Sequence, residues 1–373
     1  MSFAPQDWYL IQSTEQLDSP ALVVYPDRVK ANIQLAIGMT GGVAGLRPHI
    51  KTHKSPDVTQ LMLEAGIQKF KCATIAEAEM LAMTGAMDIL LAYQPIGPKL
   101  HRLVALVRQY PRVRWACLFD NEEALRSMGA AFATAGIKMQ VYLDLNIGMN
   151  RTGIAPDAAA FELYKAAANT EGVTPVGLHA YDGHIRDADF QQRKEKCDDA
   201  FATVAALKQV LQKEGFEQIA VVAGGSPTFS IHCRRPDIEC SPGTFIYWDK
   251  GYGDGCPEQA FLPAALVISR VVSLPAAGRL CLDLGHKSIA SENELTRRVY
   301  FLNYPDWKVV GHSEEHLVTE AGDQHGHHPG DIVYGLPYHI CPTVALYERV
   351  YTVEGGLVTG EWKNTARDRK INF

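Results

Sequence analysis

A short basic stretch near the start of the chain, "LRPHIKTHKS" (46–55), carries the first residues that could do chemistry. It gathers an arginine, two histidines and two lysines within eight positions: Arg47, His49, Lys51, His53 and Lys54. A lysine amine can form a Schiff base with a carbonyl compound when its surroundings activate it. A solvated basic turn between a strand and a helix is the simpler interpretation of the stretch alone, so the rest of the chain has to decide.

A second candidate is the pair His339 and Cys341 in "YHICPT" (338–343). The run is strand-like, and residues two apart in a strand leave the same face of the sheet. Imidazole nitrogen and thiolate sulfur make half of a metal site, and the soft sulfur favours zinc over magnesium or manganese. Water and substrate oxygens would complete an open shell, as a catalytic metal requires. The competing interpretation is a half-buried strand with an inert cysteine.

Two glycine-containing stretches could seat a phosphate: "VAGGSPTFS" (222–230) and "CSPGTFIYW" (240–248). Glycine lets backbone N–H groups approach an anion closely, and nearby hydroxyls add donors. The same residues are also common in ordinary turns. The first stretch offers Gly224, Gly225 and Ser226, and the second offers Gly243 and Thr244.

The elements that must position these groups alternate in type, with short apolar strands between helix-like stretches. This alternation predicts a parallel sheet, and eight strands over roughly two hundred residues fit a (β/α)8 barrel of the TIM type, with a doubly wound sheet as the alternative. The predicted strands are 45–51, 69–75, 88–93, 114–120, 139–145, 175–182, 219–226 and 239–249.

After about residue 262 the chain is rich in β-branched residues and turn signals, with little helical periodicity, which predicts a mainly antiparallel β domain. The strand in "ALVVYPDRVKANIQLAI" (21–37) could belong to that domain and make it discontinuous. The predicted organisation is therefore a barrel of residues 25–262 and a β domain of residues 1–24 and 263–373.

On this strand count, Lys51 ends the first barrel strand and faces the two glycine-containing loops after the seventh and eighth strands. In barrels, these loops are the usual phosphate seat, and catalytic groups lie at the same end. A lysine facing a phosphate seat is the arrangement that a pyridoxal phosphate Schiff base needs. The sequence thus predicts pyridoxal 5'-phosphate as the cofactor.

The bulk composition narrows the function classes. Apolar residues make up 47% and charged residues 21%, as in a soluble globular protein with a sizeable core. The formal net charge of −6 gives no basic field for nucleic acid or a membrane surface. The N-terminus lacks the features of a signal peptide, and eight scattered cysteines without a C-x-x-C pair indicate reduced thiols, so we expect a cytoplasmic protein.

At this point the sequence resembles a family, the fold-type III pyridoxal phosphate enzymes of the alanine racemase class. Within that class it is most similar to the D-threonine aldolase and D-serine dehydratase group. The motifs that carry the resemblance are "LRPHIKTHKS", "YLDLNIGMNRTGI" (142–154), "GLHAYDGH" (177–184), "GGSPT", "SPGTFIYWD" and, more specifically, "HSEEHLVTE" and "GLPYHICPTVALYE".

The resemblance implies a role for each matching position. Lys51 would be the Schiff-base lysine, Arg151 would contact the phenolic oxygen of the cofactor, and Tyr181 would lie near the pyridine ring. Gly225, Ser226, Gly243 and Thr244 would hold the phosphate. His339 and Cys341 would hold a divalent metal, zinc or manganese, which reverses the inert-cysteine interpretation.

Several histidines compete for an acid–base role. His184 and His316 are the better candidates, although either could be structural. The loop "GDQHGHHPGD" (322–331), with His325, His327 and His328, is interpreted as a solvated turn near the site.

The predicted function is a pyridoxal phosphate- and metal-dependent lyase acting on D-configured 3-hydroxy amino acids. The D-configuration comes from the resemblance alone. D-Threonine aldolase, which cleaves its substrate to glycine and an aldehyde, is favoured. The alternative is a dehydratase of D-serine or D-threo-3-hydroxyaspartate that releases a keto acid and ammonia. Cys341 keeps both open, because the aldolase branch has members with a carboxylate as the second metal ligand, whereas the dehydratase branch has His and Cys.

Two further alternatives are an amino-acid racemase, which has no use for a metal pair, and a pyridoxal phosphate carrier without catalysis. A small-molecule substrate and a homodimer are expected, without nucleic acid or membrane partners.

Overall fold

The computed structural model describes residues 7–323 and 326–373. Within them, a seven-stranded parallel sheet and a nine-stranded, mainly antiparallel sheet account for the strands. The chain enters through β1 (Ala21–Val24), which is fully buried, and continues into α1 (Pro26–Met39). Pro26 lies in the first turn of α1, where a missing backbone N–H has no cost.

The parallel sheet follows as a regular alternation of strands and helices. Its strands are β2 (Lys69–Cys72), β3 (Asp88–Leu91), β4 (Arg114–Phe119), β5 (Met139–Leu145), β6 (Val173–Ala180), β7 (Ala220–Ala223) and β8 (Ile238–Cys240). Its helices are α2 (Pro56–Glu64), α3 (Ile75–Thr84), α4 (Pro98–Gln109), α5 (Glu122–Thr134), α6 (Ala158–Ala168), α7 (Phe190–Lys213) and α8 (Phe229–His232). Neighbouring strands pair in sequence order from β2 to β8.

Residues 46–50 join the two edges of this sheet. The Arg47 N–H donates to the Cys240 carbonyl at the end of β8 (2.9 Å), and the Ile50 N–H donates to the Lys71 carbonyl in β2 (3.0 Å). The segment takes the place of an eighth barrel strand between β8 and β2, and we call residues 46–50 the eighth stave. The predicted (β/α)8 barrel is thus confirmed. Apolar side chains fill the interior, among them Leu90, Leu118 and Val222. Because the interior is packed, a ligand has to bind at the mouth.

The eighth strand is shorter than predicted. β8 ends at Cys240, and the chain continues through "SPG" into a single 3-10 turn at Thr244–Ile246. Pro242 has no N–H to donate to a neighbouring strand, which explains why the ladder stops there. The second glycine-containing stretch is therefore a loop at the barrel mouth.

The remaining chain forms the antiparallel sheet after α9 (Lys250–Gly255), with α10 (Ile340–Ala345) inserted late. Its strands are β9 (Ala265–Ala276), β10 (Arg279–Leu282), β11 (Val299–Phe301), β12 (Lys308–His312), β13 (Leu317–Glu320), β14 (Ile332–Pro337), β15 (Arg349–Glu354) and β16 (Leu357–Lys363).

Strand β1 lies in this antiparallel sheet, between β9 and β15, with Val23 opposite both Leu266 and Tyr351. This pairing supports our proposal of a discontinuous β domain, residues 1–24 and 263–373, beside a barrel of residues 25–262. The first six residues of that proposed domain lie outside the described part of the chain. Among the described helices, none is long and apolar enough to cross a membrane.

Candidate active site

Three cationic side chains converge on one aromatic ring at the barrel mouth. Tyr181 directly follows β6, and the Nζ atoms of Lys51 and Lys71 each lie 5.9 Å from its ring centroid. The Arg151 guanidinium carbon lies 5.0 Å from the same centroid. In the part of the chain that the structure describes, none of the three forms an ion pair with a carboxylate. Cationic side chains that gather at a barrel mouth without a paired carboxylate are suited to bind an anionic ligand.

The two glycine-containing loops meet beside this ring. The N–H groups of Gly243 and Thr244 point at the hydroxyl of Ser226, with N–O distances of 3.4 and 3.1 Å. A Cβ atom on Gly225 would lie 2.8 Å from Cε2 of Tyr181, so only glycine fits there. Convergent N–H groups and hydroxyls in a glycine cradle are the donors that a phosphate requires, so these residues fit the phosphate of pyridoxal phosphate.

A buried network supports the first of these loops from behind. Thr228 donates to Asp182 Oδ1 (2.7 Å) and accepts from the Gly225 N–H (3.4 Å), while His232 Nε2 lies 2.8 Å from Asp182 Oδ2. Burial acts to raise the pKa of Asp182, but the hydrogen bonds from His232 and Thr228 hold it below its ordinary value. The network therefore fixes Gly225 relative to Tyr181.

The same network contains Asp182, Cys197 and His232, whose ligand atoms lie within 4.8 Å of one another, as in a metal site. Arg235, however, contacts Nδ1 of His232, and a guanidinium can only donate. Nδ1 is then the acceptor and Nε2 carries the proton that Asp182 accepts. No imidazole lone pair is left for a metal, so we interpret this cluster as a structural hydrogen-bond network.

Lys71 was missed by the sequence reasoning. Lys71 lies near the C-terminal end of β2, at the barrel mouth, and its Nζ lies 3.4 Å from Nε2 of His179 in β6. Nδ1 of His179 in turn lies 2.7 Å from Asp144 in β5. Burial, with repulsion from Lys51, lowers the pKa of Lys71 to about 7. The signal that could have identified Lys71 is a lysine inside a strand that is buried on both faces, because lysine is almost never fully buried without a partner.

The other basic residues around Lys51 divide into structural and site positions. Arg47 is buried between Asp88 and Glu239, at 2.6 Å from each, and Lys54 pairs with Glu77. Arg47 and Lys54 are therefore neutralised by ion pairs within the barrel wall and have a structural role. The half-buried His49 ring accepts the N–H of Lys51 (3.2 Å), and desolvation with the neighbouring lysines drives its pKa well below the ordinary value. The solvated-turn interpretation is wrong for this stretch.

His339 and Cys341 come together, although not on a strand. β14 ends at Pro337, His339 is the N-cap residue of α10, and Cys341 lies in the first turn of that helix. Pro342 in the first turn and the acceptance of the Ile340 N–H by Asp249 (3.0 Å) favour a helix start here. The predicted strand is wrong at this point, but the two side chains still interact, since each shifts the pKa of the other.

The donor atoms of this pair suit a metal. Burial acts to lower the pKa of His339, but the interactions with Cys341 and Glu292 raise it to about 9. Burial acts to raise the pKa of the Cys341 thiol, yet His339, with Lys51, holds it below its ordinary value. Once the imidazolium proton is lost, a thiolate and an imidazole, with a carboxylate behind the imidazole, are the donors that zinc takes in proteins.

Cys341 also connects the His339–Cys341 pair to the barrel mouth. Its Sγ lies 3.1 Å from Oγ1 of Thr52 and 3.6 Å from Oγ1 of Thr244. Thr52 is the residue after Lys51, and Thr244 belongs to the candidate phosphate seat. The candidate metal ligands, Lys51 and the two glycine-containing loops therefore lie together at the barrel mouth.

The remaining predicted histidines lie at the surface. His184 is exposed and packs against Gly148, where a Cβ atom would come within 2.6 Å of its Nε2; this loop leads to Arg151. His316 is exposed in the turn between β12 and β13, and no described hydrogen bond or ring contact joins it to the residues around Tyr181. His327 packs against Tyr304 and Trp307, whereas His325 lies outside the described residues.

An open cavity of about 480 Å³ adjoins His339 and is large enough for a substrate side chain. Arg186 and Arg297 line it; Arg186 donates to the Gly183 carbonyl, and Arg297 lies over the Tyr338 ring. Of the two acids in the wall, Asp254 pairs with Lys250, and Asp249 accepts two backbone N–H groups, with burial raising its pKa to about 6. The two guanidinium groups thus give the cavity a positive side.

Both the barrel and the antiparallel part of the chain match known protein families. Residues 24–250 match the family described as "Alanine racemase, N-terminal domain", and residues 264–353 match the "Putative serine dehydratase domain". The solved structure of D-threonine aldolase from Filomicrobium marinum superimposes with a TM-score of 0.87 at 26% identity, covering 96% of this chain and 98% of that one.

Curated relatives match over nearly their whole length. D-Threonine aldolase of Arthrobacter sp is 28% identical over 94% of this chain and 93% of its own. 3-Hydroxy-D-aspartate aldolase of Paracoccus denitrificans (strain Pd 1222) is 26% identical over 95% and 93%. D-threo-3-Hydroxyaspartate dehydratase of Delftia sp. (strain HT23) is 24% identical over 92% and 97%. The resemblance inferred from the motifs is confirmed, and the chain belongs to the family of the alanine racemase N-terminal domain.

Proposed function

We propose that the protein is a lyase of D-3-hydroxy amino acids that depends on pyridoxal phosphate and a divalent metal, with D-threonine aldolase as its main activity. The observation that carries the proposal is the contact between Cys341 and Thr52, which joins the metal pair to the residue after Lys51. The three curated relatives named above are all lyases, and two of them are aldolases.

The residues around Tyr181 fit the cofactor. Lys51 would hold it covalently, Arg151 would neutralise its phenolic oxygen, and Tyr181 would support the ring. Gly225, Ser226, Gly243 and Thr244 would hold its phosphate. When bound, pyridoxal phosphate supplies an electron sink for the carbanion that bond cleavage leaves at the α-carbon.

His339 and Cys341 would hold the divalent metal, and Glu292 would orient the imidazole through its Nδ1. A metal at this position supplies a Lewis acid for the 3-hydroxyl of the substrate. Zinc fits the thiolate best, and manganese remains the second candidate. His184 packs against Gly148, in the loop that leads to Arg151, and is our candidate for proton transfer. His316 stays a prediction from the sequence.

Two observations support a second candidate function within the same site. Cys341 supplies a sulfur ligand, which we associated above with the dehydratase branch. The positive side of the cavity, with Arg186 and Arg297, suits a substrate that carries a carboxylate at its β-carbon, such as 3-hydroxyaspartate. The alternative is therefore a dehydratase, or an aldolase, of D-3-hydroxyaspartate.

Product identification tests the proposal directly. Metal-free, zinc-loaded and manganese-loaded protein, each with cofactor, is incubated with D-threonine, D-serine and D-3-hydroxyaspartate. Glycine with acetaldehyde from D-threonine would support the aldolase. A keto acid with ammonia would instead identify the dehydratase. Bound cofactor without either product would contradict the proposal and favour the racemase or carrier interpretation.

The proposal extends to assembly and location. We expect a homodimer acting on small molecules in the cytoplasm. All eight cysteines are free thiols in the described structure, which fits a reducing compartment. Light scattering of the purified protein at several concentrations tests the dimer, and a monomeric mass throughout would contradict it.

A further inference from the structure

Lys71 is a second lysine at the barrel mouth, and the proposed function gives it no role. Its Nζ lies as far from the Tyr181 ring centroid, 5.9 Å, as that of Lys51 does. Only 2% of the residue is exposed. Burying a charged amine costs free energy unless the amine is paired or hydrogen-bonded. Its position beside the Schiff-base candidate therefore requires an explanation.

A directed hydrogen-bond chain fixes the Lys71 amine. In its protonated form the Lys71 amine has only donors, so Nε2 of His179, 3.4 Å away, is then the acceptor. The imidazole proton then sits on Nδ1 and is donated to Asp144 Oδ1 at 2.7 Å. Burial and Lys71 itself lower the pKa of His179, which favours this neutral tautomer. The chain holds the Lys71 amine toward Tyr181 without supplying a carboxylate in contact with it.

The charged groups around Lys71 come from three parts of the barrel. They are Arg47, His49 and Lys51 in and directly after the eighth stave, Asp144 in β5, and His179 in β6 with Asp182 two residues after that strand. Arg47 is neutralised by Asp88 and Glu239, Asp144 is bonded to His179, and Asp182 is bonded to His232. The charges left free at the mouth are those of Lys51 and Lys71, with Arg151 on the same ring.

We propose that Lys71 is a second cofactor-contacting amine, whose protonated form places a positive charge beside the Lys51 linkage and lowers the pH at which that linkage loses its proton. This inference rests on the proposed function, because it requires the cofactor on Lys51. A cation near a protonated imine disfavours the protonated form, so the direction of the effect follows from charge alone.

The test is a pH titration of the visible absorbance of the bound cofactor in the holoenzyme. Lys71→Met should raise the titration midpoint by about one pH unit, the size expected for a unit charge several ångströms away at an intermediate effective dielectric constant. Lys71→Arg keeps a permanent charge, so its midpoint should stay at or below that of the wild type.

The matched control is Lys69→Met. Lys69 lies on the same face of β2, two residues earlier, and pairs with Glu239 away from Tyr181, so its removal should leave the midpoint unchanged. Lys71→Gln removes the charge but can still donate to His179, and it replaces the methionine variant if that variant does not fold. Its midpoint should rise in the same way.

The outcomes separate this inference from the function on which it rests. Wild-type protein that gives no visible cofactor band refutes the proposed function. A normal band with the same midpoint in the wild type and in the folded, uncharged Lys71 variant overturns this inference alone. A rise in that variant, absent from Lys71→Arg and Lys69→Met, supports it.

Discussion

Gly243→Ala is the sharpest test of the phosphate seat. A Cβ atom there would lie 2.9 Å from the backbone oxygen of His49 and 3.3 Å from Oγ1 of Thr52. The φ angle of Gly243 is −124°, so the strain comes from contact and not from the backbone conformation. The closest neighbour is backbone of the stave that carries Lys51, which cannot simply rotate away. The loop itself must shift by several tenths of an ångström.

That shift misplaces the Gly243 and Thr244 N–H groups that converge on Ser226. Overpacking of this kind costs about 1–3 kcal/mol. If the cost falls on the binding-competent arrangement, cofactor affinity drops roughly tenfold to a hundredfold, since about 1.4 kcal/mol corresponds to tenfold. The assay is a titration of cofactor-free protein with pyridoxal phosphate, followed by absorbance or by quenching of tryptophan fluorescence.

Gly38→Ala in α1 is the matched control, because a Cβ atom there meets nothing within 4 Å. It should leave the dissociation constant unchanged and stabilise the helix slightly. Wild-type affinity in Gly243→Ala would refute the assignment of this loop to the phosphate. Equal losses in both variants would indicate a general effect of the alanine substitutions.

Three further perturbations follow from the site. Lys51→Ala should abolish the visible band of the bound cofactor and all turnover, and a wild-type spectrum in this variant would remove Lys51 from its role. Glu292→Gln should weaken zinc binding about tenfold to a hundredfold, because the carboxylate orients His339; a chelator competition assay measures it, and unchanged affinity would contradict that role. Arg47→Met should lower the free energy of unfolding by about 3–5 kcal/mol, because the carboxylates of Asp88 and Glu239 lose their buried partner and keep only the more exposed Arg114 and Lys69. Urea denaturation measures it. Arg126→Met, which removes one partner of an exposed ion pair, is the control and should cost less than about 1 kcal/mol.

The Arg47 cluster also predicts a pH dependence of stability. Burial acts to raise the pKa of Glu239, but Arg47 and Lys69 hold it below its ordinary value. A carboxylate with a depressed folded-state pKa stabilises the fold above its unfolded pKa of about 4.3, and that contribution is lost as the pH falls through the folded-state value. Urea denaturation of the wild type should therefore show decreasing stability below about pH 4–5, with a smaller decrease in Arg47→Met.

Much of the site was predictable because local patterns determine it. Alternating apolar strands and helices predict a parallel barrel, and the direction of parallel strands then puts Lys51 at the same end as the loops after the seventh and eighth strands. Glycine and hydroxyl residues in those loops indicate an anion seat wherever they occur. His339 and Cys341 could be named from their spacing, although the spacing was explained by the wrong element.

The tertiary structure decided what depends on partners distant in the chain. Residues 339–341 start a helix because Asp249, from the loop before α9, accepts the Ile340 N–H. Among the described residues, Arg47 and Lys54 are paired with carboxylates and Lys51 is not, because Asp88, Glu239 and Glu77 reach only the first two.

Lys71 shows the same limit most clearly. Strand alternation can say which face a lysine occupies, but its acceptor, His179, lies 108 residues away, and only closure of the barrel brings β2 and β6 to the same mouth. The sequence by itself determined the elements and the residue types available for chemistry. The tertiary structure decided which charges are neutralised and which remain free to act, because electrostatic partnership depends on distance in space and not on separation along the chain.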